Sequence, residues 1–261
     1  MAFFDGRRPV VFAHRGGSTL GPENTLAAFE LGMAAGADGL ELDVHMSSDG
    51  VPVVHHDSTL DRTTSASGAL ASRTAADLAR VDAGYHFAGR GDFPFRRQGI
   101  GVPTLDDVLR TYPDVPIIIE MKVDSREMGE AVAREVRAMG AADRVCAAGF
   151  GACSAAAARA ALPEMACSAT RSEARLALYR MWARCPIGRA RYGGYQVPER
   201  ASLLRIVSQR FILYAHETET KVQVWTVDEE ADMRRLLAWG VDGLISNRPD
   251  LAIRVRNECC P

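Results

Sequence analysis

Short apolar, β-branched runs separated by segments of helical period dominate the chain. Val10 to Ala13 is such a run and ends at His14, and behind it ENTLAAFELGMAAG sets Leu26, Phe29 and Met33 on one helical face. In AGADGLELDVHM, Leu40, Leu42 and Val44 alternate with Glu41, Asp43 and His45. Side chains in a strand repeat every two residues, so the pattern predicts a second strand with those three polar groups on one side. The turn at Asp49-Gly50 then returns VPVVHHD as a hairpin arm, bringing His56 close to the end of that strand.

From Ser58 to Tyr112 the rhythm lapses into TTSASG, a helix-like RTAADLARV, the aromatic YHFAGRGDFPF and a helix at TLDDVLRTY. Excursions of this length are commonly lids or specificity loops. Beyond it, strand-like runs recur at Pro116 to Lys122, Arg144 to Phe150, Met165 to Thr170, Gly193 to Glu199, Lys221 to Asp228 and Asp242 to Asp250. Helical patterns lie between them: EMGEAVAREVRAMG, CSAAAARAAL, EARLALYRMWARC, FILYAHE and DEEADMRRLLAWG. With the first two strands this predicts an α/β protein, a (β/α)8 TIM barrel with an irregular insertion after strand two. No linker or repeat divides the chain, so residues 1–261 are read as one barrel domain with 58–112 inserted in it.

Composition adds exclusions. At 47% hydrophobic and 25% charged residues the chain can bury a full core, and a formal charge of −2 provides no basic field for nucleic acid. No signal-peptide pattern and no long apolar run is present, which predicts a soluble, cytoplasmic protein; the pattern does not define an oligomeric state. The six cysteines lack CxxC spacing and read as buried free thiols, and Cys259 and Cys260 are misplaced for a prenylation box.

Barrel enzymes carry their chemistry at the carboxyl ends of the strands. There the sequence sets His14 and Arg15 at the end of strand one, Glu41, Asp43 and His45 running toward the end of strand two, Glu120 and Lys122 at the end of strand three, Gln196 at the end of strand six, Trp225 at the end of strand seven and Asn247 after strand eight. Glu41, Asp43 and Glu120 are hard oxygen donors suited to one divalent cation, Mg²⁺ or Ca²⁺. The competing reading is a buried ion network with Arg15 and Lys122. His45 is placed behind the metal rather than on it. His14 and His56, each beside a charged neighbour, form a candidate acid/base pair at a phosphorus or carbonyl centre. Arg15 and Lys122 can clamp an anionic oxygen, Gly16 and Gly17 admit it close to the backbone, and Trp225 is either a stacking wall or rim packing. His55 alternates with His56 and is assigned to packing or surface.

These residues lie in HRGG, GPENT, ELDVHMSSDGVPVVHHD, the E-x-K of Glu120 and Lys122, QVPE, VWTVD and GVDGLISNRPD, and in this the sequence resembles the glycerophosphodiester phosphodiesterase family. The resemblance implies a TIM barrel, a divalent cation on Glu41, Asp43 and Glu120, and His14 and His56 as acid and base. The implied reaction takes a small-molecule glycerophosphodiester to sn-glycerol 3-phosphate and an alcohol. The chain departs from the family's pattern at Gly149-Phe150, where a serine often precedes the phenylalanine, and at ETET (Glu217 to Thr220), where a glycine-containing turn is usual.

Two alternatives are weighed against this. One is a lysophospholipase D-like or cyclising activity at a membrane surface, motivated by Leu176, Met181 and Trp182 among Arg175, Arg180, Arg184, Arg189 and Arg191. An outer barrel helix with solvated arginines is the preferred reading of that stretch, and membrane contact is not favoured. The other is an inactive phosphoester-binding barrel, which would not need two histidines, three carboxylates and two cations.

Overall fold

The apolar runs become strands and the helical segments pack outside them. A computed structural model describes residues 2–4, 8–89, 91–185, 190–202 and 204–260. In chain order the elements are β1 (Val10–His14), α1 (Leu26–Ala34), β2 (Gly39–Met46), β3 (Pro52–Val54), α2 (Ala75–Leu78), α3 (Leu105–Thr111), β4 (Ile117–Met121), α4 (Arg126–Ala138) and β5 (Val145–Ala148). There follow α5 (Ala152–Ala161), β6 (Ala166–Cys167), α6 (Arg171–Trp182), β7 (Gly194–Pro198), β8 (Arg200–Ala201), β9 (Leu204–Arg205), α7 (Gln209–His216), β10 (Lys221–Trp225), α8 (Glu230–Trp239), β11 (Gly243–Ser246) and α9 (Pro249–Cys259).

Parallel strands β1, β2, β4, β5, β6, β7, β10 and β11 follow one another around the sheet, and β11 returns to pair with β1. A bridge between Ser168 and Gly194 joins β6 to β7 and completes the ring. This is the (β/α)8 barrel that the pattern predicts. β3 runs antiparallel to β2 as the expected hairpin arm, with Val54 opposite Val44. The β8–β9 hairpin after β7 has no counterpart in the sequence reading, since strands of two residues carry no periodicity.

Period two sorts the core. Leu40, Leu42 and Val44 of β2 pack outward with Phe29, Leu105 and Val108, while a second outer core gathers Leu178, Phe211, Met233 and Val255 against β7, β10 and β11. Inside the barrel Phe12, Ile118, Cys146, Ala166 and Ile245 fill the lower layers. Phe4, from a 3₁₀ turn at Ala2–Phe4, joins this inner cluster.

The α1 face differs from expectation. Ala28, Phe29 and Gly32 are its buried positions, Met33 is partly buried and Leu26 is exposed. The cause is the HRGG turn, which crosses α1 so closely that a Cβ on Gly32 would overlap the Gly16 carbonyl oxygen and lie 2.8 Å from Ala13 Cβ. Gly16 and Gly17 make that turn at φ 87° and 91°, in the left-handed region open to glycine.

The insertion has its own small core, with Leu60, Leu70, Leu78, Ala83 and Val102 packed on Val53 of β3. All six cysteines are free, but only Cys146 and Cys167 are buried; Cys153, Cys185 and Cys259 are exposed because their segments lie on the outside of the barrel. On α6, Met181 turns into the core while Leu176, Tyr179 and Trp182 face outward; Arg189 lies outside the described residues. Among the described residues, no helix is long and apolar enough to cross a membrane.

Candidate active site

Strand register assembles the polar cluster. His14 stands beside Glu41 across β1 and β2, and Asp43 beside Glu120 across β2 and β4. One carboxylate oxygen from each of Glu41, Asp43 and Glu120 falls within 4.8 Å of the others. They line a cavity of about 580 Å³ at the carboxyl ends of the strands, together with His14, Arg15, His56, Lys122 and Trp225. The candidate acid/base pair His14 and His56, the anion-binding candidates Arg15, Lys122 and Trp225, and the carboxylates Glu41, Asp43 and Glu120 therefore all line this cavity, whereas Gly16, Gly17 and His45 do not.

The cluster carries more negative charge than its cations offset. Lys122 Nζ lies 2.8 Å from Glu120 and 3.3 Å from Asp43, and Arg15 Nε lies 3.2 Å from Asp43. The ion network considered as the alternative is thus present, yet it does not extend to Glu41. That carboxylate accepts the Arg15 backbone N–H at 3.0 Å; among the described residues its one ion-pair neighbour is His14 Nε2, at 3.8 Å, and the Arg15 charge acts on it from farther away. Burial, then the charges of Asp43 and Glu120, push its pKa well above the usual carboxylate range. Three hard oxygen donors, one of them buried without a full counter-charge, fit a divalent cation of the Mg²⁺ or Ca²⁺ type.

Both imidazoles are held by Nδ1. His14 Nδ1–H donates to Asn247 Oδ1 at 2.6 Å, and Asn247 is itself fixed by donating from Nδ2 to Asp228 at 2.7 Å. Burial, and then the charge of Arg15, lower the His14 pKa and favour the neutral ring. His56 Nδ1–H donates to Asp57 at 2.6 Å. In both rings Nε2 remains free of these supports. His45 Nε2–H donates to the His56 carbonyl at 3.0 Å, so it braces the β3 arm from behind the cluster. His55 is buried and donates to the Thr59 carbonyl at 3.1 Å, as a packing residue.

Four supporting residues escaped assignment from sequence. Asn24 donates to Asp43 Oδ2 at 2.9 Å and accepts the Asp43 backbone N–H at 3.2 Å. Glu23 pairs with Arg15 at 2.9 Å. Arg62, from the insertion, bridges Glu23 (2.7 and 2.8 Å) and Asp57 (2.6 Å). Asp228 holds Asn247. Glu23 and Asn24 belong to GPENT, a motif visible in the sequence without a role, whereas nothing in the local pattern marks Arg62. The insertion reaches the site through this arginine, and among the described residues none of 58–112 lines the cavity.

On the opposite wall Trp225 and Phe150 meet edge to face with centroids 5.8 Å apart. Gln196 sits in the middle of β7 rather than at its end and donates to Gln223 at 2.9 Å, leaving its buried Oε1 without a partner among the described residues. The departure at ETET has a backbone consequence: Glu219 adopts φ 57°, a left-handed position where glycine is at ease.

A parallel barrel with hard carboxylates, basic side chains and two oriented imidazoles at one rim defines the site of a metal-dependent phosphodiester hydrolase. The chain belongs to the glycerophosphoryl diester phosphodiesterase family, whose profile matches residues 14–251. It is 30% identical over 254 residues to the glycerophosphodiester phosphodiesterase of Caldanaerobacter subterraneus subsp. tengcongensis, covering 95% of this chain and 98% of that protein. Among solved structures it resembles the glycerophosphoryl diester phosphodiesterase domain of an uncharacterized Mycobacterium tuberculosis protein, at TM-score 0.82 and 26% identity, with 96% and 99% of the two chains covered. It also resembles an Oleispira antarctica phosphodiesterase solved with its product sn-glycerol-3-phosphate, at TM-score 0.77 and 25% identity, covering 96% of this chain and 97% of that one.

Proposed function

We propose that the enzyme hydrolyses small glycerophosphodiesters to sn-glycerol 3-phosphate and an alcohol, with His14 and His56 as its acid/base pair. Glu41, Asp43 and Glu120 would hold one divalent cation, which when bound neutralises charge on a non-bridging phosphate oxygen. Arg15 and Lys122 stand beside the carboxylates to draw a phosphate oxygen toward the same corner, and Trp225 walls the glycerol side.

His14 enters the reaction neutral. With its Nδ1 proton donated to Asn247, the Nε2 lone pair accepts a proton from the attacking oxygen. His56, with Asp57 on Nδ1, delivers a proton from Nε2 to the leaving alkoxide, and Asp57 offsets the charge the ring carries before that transfer. The observation that most supports this reading is the pair of Nδ1-anchored imidazoles lining the same cavity as the three carboxylates. The test is release of sn-glycerol 3-phosphate from a panel of glycerophosphodiesters with Mg²⁺ or Ca²⁺, its loss in EDTA and its return on adding metal. No product from any diester would contradict the proposal.

A further inference from the structure

The cavity exceeds what its polar corner requires. At the volume of a liquid water per heavy atom, sn-glycerol 3-phosphate fills at most roughly 300 Å³, against a cavity of about 580 Å³. The half left over is walled mainly by apolar groups, Leu178 of α6, Val197 and Pro198 of β7, and Ala201, Leu204 and Ile206 on and beside the β8–β9 hairpin, with Arg171 and Arg175 of α6 as its charged lining. α6 is held in this position by the Thr170 capping box and by Arg159, which pairs with Glu173 at 2.8 Å.

Its charges argue against a cationic occupant. The lining carboxylates Glu41, Asp43 and Glu120 all belong to the polar corner, and no other described lining residue is acidic. The Phe150 ring, which could have received a quaternary ammonium, already carries the Arg171 guanidinium 4.7 Å from its centroid, and Arg175 lines the same side. Apolar walls without a carboxylate fit a hydrocarbon chain.

We propose that this half is a chain-binding subsite, and that the enzyme takes glycerophosphodiesters whose alcohol arm is an alkyl chain in preference to those bearing a charged amino alcohol. The inference rests on the phosphodiesterase reading of the polar corner but makes a separate claim about binding. The probes are the glycerol phosphodiesters of butanol, hexanol and octanol, and glycerophosphocholine. Their dissociation constants are measured by calorimetry with Mg²⁺ on the His14→Ala/His56→Ala variant, and kcat/KM is measured on the wild type.

Affinity should rise about fourfold per methylene from butyl to octyl, with glycerophosphocholine weaker than the hexyl ester. Leu204→Asp, on the exposed hairpin, should remove most of that slope. A flat series, a preference for glycerophosphocholine, or a full slope in Leu204→Asp would each overturn the proposal. If the double variant does not fold, the slope of wild-type kcat/KM decides in the same way. Chain-dependent binding without hydrolysis by the wild type would sink the catalytic reading and leave the subsite standing; hydrolysis with a flat series would do the reverse.

Discussion

Replacing Arg62 by methionine should weaken both the fold and the reaction, by amounts the geometry sets. Arg62 holds both oxygens of Glu23 and one of Asp57, and so ties the insertion to α1's leading loop and to His56. Burial would raise the Glu23 pKa, but the hydrogen bonds and charge of Arg62, aided by Arg15, bring it from 4.5 down to about 2. That depression corresponds to about 3 kcal/mol shared between the two arginines. Arg62 is about half exposed, and water takes over part of its role, so its own share is about 1–2 kcal/mol. The sign is that of a lowered carboxyl pKa. The contribution is complete above about pH 4.5 and is lost as the pH falls toward 2. Urea unfolding should therefore show Arg62→Met less stable than wild type by this amount at pH 7, with the gap narrowing below about pH 4.5. With Asp57 tethered only by His56, kcat should fall about tenfold as the ring loses its fixed orientation. Equal stability at pH 7, or a deficit that does not shrink in acid, would refute the reasoning.

Two further outcomes follow from packing and charge. Gly32→Ala should cost about 1–3 kcal/mol in chemical denaturation, because the new methyl meets the Gly16 carbonyl where the HRGG turn crosses α1; unchanged stability would contradict that contact. In EDTA, Glu41→Gln should melt at or above the wild-type temperature, since it removes a buried carboxylate whose raised pKa marks an unfavourable charge at neutral pH. Adding Mg²⁺ or Ca²⁺ should then raise the wild-type Tm and leave the variant's nearly unmoved, and equal shifts would argue against Glu41 as a ligand.

The barrel and the corner of the site were legible because both depend on short-range periodicity. Period two along β2 separates Leu40, Leu42 and Val44 from Glu41 and Asp43, and parallel register then sets Glu120 beside Asp43. What supports that corner depends on long-range contacts without a local signature. Arg62 meets Glu23 across 39 positions, and Asn247 meets His14 across 233. Leu26 looked like a core residue because helical spacing cannot register that the turn crosses α1 over Ala28, Phe29 and Gly32. The β8–β9 hairpin and the turn carrying Phe4 are too short to have a period at all, yet one walls the cavity and the other joins the barrel's inner cluster.

The central claim is that two oriented imidazoles at one barrel rim exchange protons with a glycerophosphodiester. Its most direct test is the steady-state rate of sn-glycerol 3-phosphate release by wild type, His14→Ala and His56→Ala at saturating divalent metal. Each variant should bind the cation as the wild type does and lose at least about 10²-fold in kcat, whereas full activity in either would contradict the account.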